Sequence, residues 1–139
     1  MMVFCLLCGC TTGVNSSEDL LKLNEVQEFL NDNFDAPNLI TYSESKYGTT
    51  LDEGVSLSVQ VDSLGNVCEM DLGCSSQTEK VLDTFNDFIV CLPQIMSFTS
   101  EELEPILQFD CGEVRLENEE AELVFVNDES GSLLLRIRF

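Results

Sequence analysis

Leu20, Leu23, Val26, Leu30 and Phe34 fall on one stripe at the 3.6-residue spacing of an amphipathic helix. Ser16 and Ser17 ahead of them are good N-caps, and Glu18 and Asp19 suit the positive end of a helix, so the pattern predicts a helix over residues 18–34. Asp35-Ala36-Pro37-Asn38 ends it, because Pro37 has no N–H with which to continue the ladder. The stretch 39–47 reads as a strand of unclear polarity. The period then changes: Val55, Leu57, Val59 and Val61 alternate with Ser56, Ser58, Gln60 and Asp62, which predicts a half-buried strand. Ser63-Leu64-Gly65-Asn66 reads as a turn, and Cys68, Met70 and Leu72 alternate with Glu69 and Asp71 on the return, so the two runs form a hairpin.

Ser75 and Ser76 offer caps for a second helix, whose broad apolar stripe runs through Val81, Leu82, Phe85, Phe88, Ile89 and Leu92 until Pro93 kinks or ends it. Thr99 and Glu102 have the spacing of a capping box for a short third helix, limited by Pro105. The C-terminal stretch is a strand meander: Val114 and Leu116, then Leu123 and Phe125, then Leu133, Leu135, Ile137 and Phe139, with turns near Glu119-Glu120 and over residues 127–131. The order helix, strands, helix, strands hints at two similar halves, although no side-chain signature repeats between them. The layer solution this order favours is α+β, a single two-layer domain. Its expected form is an antiparallel sheet of about five or six strands with two main helices, and the short third, on one face.

Length supports one core: 139 residues, 44% of them apolar, suffice for one domain and not for two. Six basic against twenty-six acidic residues give a net charge of −20, a field that repels nucleic-acid backbones and anionic lipid alike. Nucleic acid is therefore excluded as an expected partner, and membrane association requires a covalent lipid or an apolar anchor. No run of about 18 apolar residues is present to span a bilayer.

The first ten residues, Met1-Met2-Val3-Phe4-Cys5-Leu6-Leu7-Cys8-Gly9-Cys10, are apolar up to a small residue and a cysteine, and then give way to the polar tether of residues 11–17. Leu7-Cys8-Gly9-Cys10 resembles the lipobox of bacterial lipoproteins, in which an aliphatic residue, a small residue and Gly or Ala precede a cysteine that receives a diacylglycerol. The resemblance covers these residues only and carries no information about the fold. It implies lipidation of Cys10, a truncated signal segment at 1–10, a tether at 11–17 and a domain at 18–139 held outside the bacterial cell membrane. The alternative reading of the same segment is an apolar N-terminal strand or a disordered start in a cytosolic protein, and the lipoprotein reading is preferred to it.

Candidate chemistry is sparse. There is no histidine, which removes the commonest general base and the commonest metal ligand. Among twenty-six acids any two can be made to look like a catalytic pair, so that signal has no specificity and most are expected to be solvated surface. No phosphate-binding loop, dinucleotide turn or Gly-flanked nucleophilic serine occurs. The turn at 127–131 offers too few ligands for calcium and reads as a hairpin turn, so neither metal nor cofactor is expected. Beyond the N-terminal segment stand Cys68, Cys74, Cys91 and Cys111, with no C-x-x-C spacing. An exported chain favours one or two disulfides among them, whereas the apolar-face position of Cys68 favours a buried free thiol.

On the meander, the parity that buries Val114, Leu116, Leu135 and Ile137 turns Arg115, Arg136 and Arg138 outward, together with Val124, Val126 and Leu134. Two readings follow. Either these six residues form a docking surface for an extracellular or envelope protein, or a helix covers this face as a second core layer; the arginines, for their part, either make a cationic strip or pair across strands with Glu113, Glu117 and Glu122, which share their parity. The functional expectation is accordingly a non-catalytic, cell-surface-tethered binding or accessory domain. A small carboxylate-dependent hydrolase and a purely structural envelope protein are the alternatives.

Overall fold

Seven strands, rather than five or six, build the sheet. The computed structural model describes residues 20–34, 38–52, 54–107, 112–128 and 130–139. Its strands are β1 (Ile40–Ser43), β2 (Lys46–Asp52), β3 (Val55–Val61), β4 (Val67–Cys74), β5 (Gly112–Glu117), β6 (Glu122–Asn127) and β7 (Leu133–Arg138). They form one antiparallel sheet in the order β1-β2-β3-β4-β7-β6-β5. The extra strand comes from the stretch 39–47, read as a single strand: residues 40–52 fold back on themselves at Glu44 and Ser45 as a hairpin. Its period-two signal is muted because β2 places Thr49 inward and Gly48 and Thr50 outward, small or polar residues on both faces.

The first helix, α1 (Leu23–Asn33), is shorter than the predicted 18–34. Leu21 and Lys22 are extended instead. Val67 donates its N–H to the Leu21 carbonyl at 2.8 Å and Leu23 donates to Gly65 at 3.2 Å, so these residues run beside the β3–β4 turn. Lys22 takes the cap position, and its N–H donates to the Glu25 carboxylate at 2.8 Å. Leu20 is 42% exposed, off the buried stripe, and the face that α1 buries is Val26, Phe29 and Leu30. The proposed caps at 16–19 and the stop at 35–37 lie outside the described residues.

The second helix, α2 (Glu79–Cys91), is capped by Thr78, whose hydroxyl accepts the Val81 N–H at 3.3 Å; Ser75 and Ser76 stand too early. Pro93 is accommodated in a single 3-10 turn, Leu92–Gln94. The capping box before α3 (Glu104–Leu107) forms reciprocally: the Thr99 N–H donates to the Glu102 carboxylate at 3.0 Å, and the Glu102 N–H to the Thr99 hydroxyl at 3.2 Å.

One core joins these helices to the inward parity of the sheet, including Leu57, Val59, Met70, Leu72, Leu123, Phe125, Leu135 and Ile137. Phe88 of α2 meets Phe29 of α1 edge-on at 5.6 Å, and Phe85 meets Phe125 of β6 at 6.4 Å. Such aromatic pairs add about 0.5–1.5 kcal/mol each beyond area burial, and here they tie helix to helix and helix to sheet. The architecture is therefore α+β. The first half is α1 followed by the four-strand meander β1–β4, the second is α2 and α3 followed by the three-strand meander β5–β7, and the halves meet where β4 pairs with β7.

Candidate functional site

Because side chains alternate along each strand and the register shifts lie outside the paired positions concerned, the outward face of the sheet can be written as rows that cross six or seven strands. The central row runs Arg115, Val124, Arg136, Asp71, Ser58, Gly48, Ile40 from β5 to β1. On one side of it lies the row Glu113, Val126, Leu134, Gly73, Ser56, Thr50, and on the other the row Glu117, Glu122, Arg138, Glu69, Gln60, Lys46. The meander end of these rows carries aliphatic and paired ionic side chains. The other end carries the smallest residues.

That contrast in size makes a groove. Thr50, Ser56, Ser58 and Gly73 keep the floor low, while Tyr42, Lys46, Asp71 and Leu134 stand around it, enclosing a volume of about 450 Å³. Tyr42 reaches across Gly48: a Cβ at that position would overlap Cε2 of the ring, so the glycine is what allows the aromatic to lie there. Tyr42 as a whole remains 65% exposed. Three hydroxyls that can each donate and accept, an exposed aromatic, an ammonium and a carboxylate thus converge on one concavity.

Its charges are not equivalent. Arg136 grips Asp71 through two nitrogens, Nε to Oδ1 at 2.8 Å and Nη2 to Oδ2 at 3.2 Å, and this hydrogen bonding with the adjacent negative charge raises the guanidinium pKa above its ordinary value. Lys46, by contrast, makes no ion pair or hydrogen bond through its ammonium among the described residues, whereas each of the other basic residues has a partner. Lys22 donates to Asn66, Lys80 pairs with Asp52, Arg115 with Glu113 and Glu122, and Arg138 with Glu69. Among the described residues, the groove therefore offers an unpaired cation beside a carboxylate whose charge is paired.

All six residues expected on the docking surface do share the outward face. Arg115, Val124, Val126, Leu134, Arg136 and Arg138 occupy it together, yet only Leu134 lines the groove, with Arg136 behind Asp71. The arginines are engaged in cross-strand pairing. Arg115 uses the expected Glu113 and Glu122, and hydrogen bonding to Glu122 is the main reason its pKa is raised. Arg136 and Arg138 turn instead to Asp71 and Glu69. A meander considered alone has no sight of β4, and β4 is the neighbour that supplies those acids. Tyr42, Lys46, Thr50, Ser56 and Ser58 were missed as site residues; the Ser-x-Ser run on the polar parity of β3 was their one visible trace.

Cys68 is exposed rather than buried on the apolar face. The β3–β4 register shifts so that Gln60 faces Glu69 and Val61 faces Val67, which leaves Cys68 as the extra residue of a bulge and turns it out. Cys68, Cys74 and Cys91 are free thiols, and Cys111, like Cys10, lies outside the described residues. Desolvation, with the charge of Asp87, pushes the Cys91 thiol pKa up and so disfavours its thiolate.

Between β6 and β7, Asp128 accepts the Ser130 N–H at 3.0 Å on its carboxylate and the Gly131 N–H at 2.9 Å on its carbonyl. Among the described residues no three acids or cysteines are grouped so as to hold a metal ion. No helix among them is long and apolar enough to cross a membrane. No family model, curated protein or solved structure matches the chain.

Proposed function

We propose that this chain is a non-catalytic binding or accessory domain of a bacterial lipoprotein, tethered outside the cell through lipid on Cys10 and presenting the open face of its sheet. The groove over Ser56 and Ser58 carries this reading. A sheet face whose centre is built from small hydroxyl residues, with larger side chains standing around them, has the shape of a receptor surface. A carboxylate-dependent hydrolase needs two acids acting on one substrate, and among the described residues a single acid, Asp71, lines the groove, already held by Arg136. A purely structural envelope role does not call for the concavity.

Two measurements test the proposal. Mass spectrometry of the protein from its host is expected to show a chain beginning at Cys10 with added acyl mass, and an unmodified N-terminal methionine in the cytosol overturns the address. Immobilised protein is expected to retain a discrete component of envelope extract that Ser58→Trp, which fills the floor, no longer retains. Equal retention by both forms, or none by either, overturns the binding role.

A further inference from the structure

The groove described above is chemically selective, and its selectivity narrows the ligand. Three features do the narrowing: the ammonium of Lys46, unpaired among the described residues, the hydroxyls of Thr50, Ser56 and Ser58, and two apolar surfaces, the Tyr42 ring and Leu134. A cationic ligand finds one carboxylate among the described residues lining the groove, Asp71, and its charge is already paired with Arg136. A wholly apolar ligand would strip water from three floor hydroxyls without replacing their hydrogen bonds, a loss for each of them. An anion without hydroxyls would engage Lys46 and leave the floor unused.

We infer that the groove binds an acidic sugar, a hexuronic acid unit whose carboxylate meets Lys46 while its hydroxyls meet the β2–β3 floor. The C–H patch of the pyranose ring packs on Tyr42 and Leu134. Local charge selects the acid, against the repulsion of the molecule's net charge of −20: Lys46, which lines this groove, is the basic residue whose ammonium is left without a partner among the described residues. Size agrees, since about 450 Å³ falls in the ordinary range for small-ligand sites of roughly 300–1,000 Å³. Gly48 supports the aromatic wall, because a side chain there would displace the Tyr42 ring. The inference rests on the binding-domain reading and supplies the ligand class for it.

The test is an NMR titration of the full chain with D-glucuronate, D-galacturonate, D-glucose and acetate. At least one uronate is expected to shift the amide resonances of Lys46, Thr50, Ser56 and Ser58 saturably, glucose to bind the same residues more weakly, and acetate to leave the floor unmoved. Lys46→Gln is expected to weaken uronate binding about tenfold, toward the level of glucose, as loss of a charge-assisted hydrogen bond does. Tyr42→Ala should weaken both sugars together, with the unperturbed remainder of the spectrum showing that the variant is folded. Equal shifts from acetate and the uronates reduce the site to a simple anion contact and overturn the inference, as does an absence of shifts with both uronates. If the uronates fail while Ser58→Trp still abolishes retention of an envelope component, the ligand class falls and the binding-domain reading stands; if both fail, both fall.

Discussion

Arg136 and Asp71 face each other across the seam between the two halves of the sheet, joined by two hydrogen bonds of 2.8 and 3.2 Å. The pair binds the C-terminal meander to β4 and also removes Asp71 from the list of charges the groove can offer. With the arginine side chain 36% exposed, solvent screens much of the attraction, and cross-strand pairs of this kind contribute about 0.2–1 kcal/mol. Arg136→Ser is expected to lower the unfolding free energy by about 1 kcal/mol or less. In a urea double-mutant cycle with Asp71→Asn, a coupling indistinguishable from zero would show the pair to be energetically idle.

A second expectation concerns pH. The Asp62 carboxylate accepts the N–H groups of Asn66 and Leu64 and the Asn66 side-chain amide, and these bonds, led by the Asn66 backbone, hold its pKa below the ordinary 3.8 despite some opposing desolvation. A pKa lowered by folding gives stability that is present above the unfolded value and disappears as pH falls through the folded one. Asp62→Ala should therefore be less stable than the parent at pH 7, and the gap should narrow below pH 3.8. Denaturant midpoints at several pH values measure it, and a gap that widens in acid contradicts the assignment.

Salt should stabilise the fold. The ion pairs of the outward face are solvent-accessible and individually weak, whereas a net charge of −20 repels itself throughout the molecule. Raising ionic strength from about 0.01 to about 0.15 M shortens the screening length from about 30 to about 8 Å and relieves that repulsion. Melting temperature is expected to rise over this interval in a non-binding salt; a fall would mean that the arginine pairs dominate.

Gly48→Ala separates the groove wall from the fold. Its new methyl must push aside the outer edge of the Tyr42 ring, which is exposed and able to swing away, so the stability change should stay near the ±0.5 kcal/mol or so usual for surface sites. The ring resonances of Tyr42 should move nonetheless. A loss of several kcal/mol would instead indicate that the substitution disturbs the β2–β3 pairing, since the Leu57 carbonyl is the other close neighbour, at 3.2 Å.

Where local chemistry sufficed, the sequence was legible. The α2 stripe through Phe85, Phe88 and Ile89 is the buried face, the alternation of β3 holds over its full length, and the Thr99–Glu102 box forms as its spacing implies. Each departure involved a competitor from elsewhere in the chain. Leu21 has a partner in Val67, distant in sequence, and so leaves the helix; Cys68 is turned outward by a register shift that only the β3–β4 pairing reveals. The site was less legible than the fold. Ser56 and Ser58 look like ordinary solvent-facing residues until Gly48 and Gly73 are set beside them by strand register, and the importance of Lys46 emerges only once the other cations are seen to be occupied.

The place of β7 in the strand order bears on how the chain reaches this state. It is the last strand described, yet it lies inside the sheet, wedged between β4 and β6. Until it docks, both neighbours display unsatisfied backbone groups, the condition that invites pairing with another molecule. Its partners on β4 are distant in sequence, with Arg138 bonding to Glu69 across 69 residues, so the entropy of closing that loop falls on a late and slow event. A chain cut before Leu133 would retain most of its apolar stripes and lose the strand that seals them, and its fate would be self-association rather than a smaller version of the same domain.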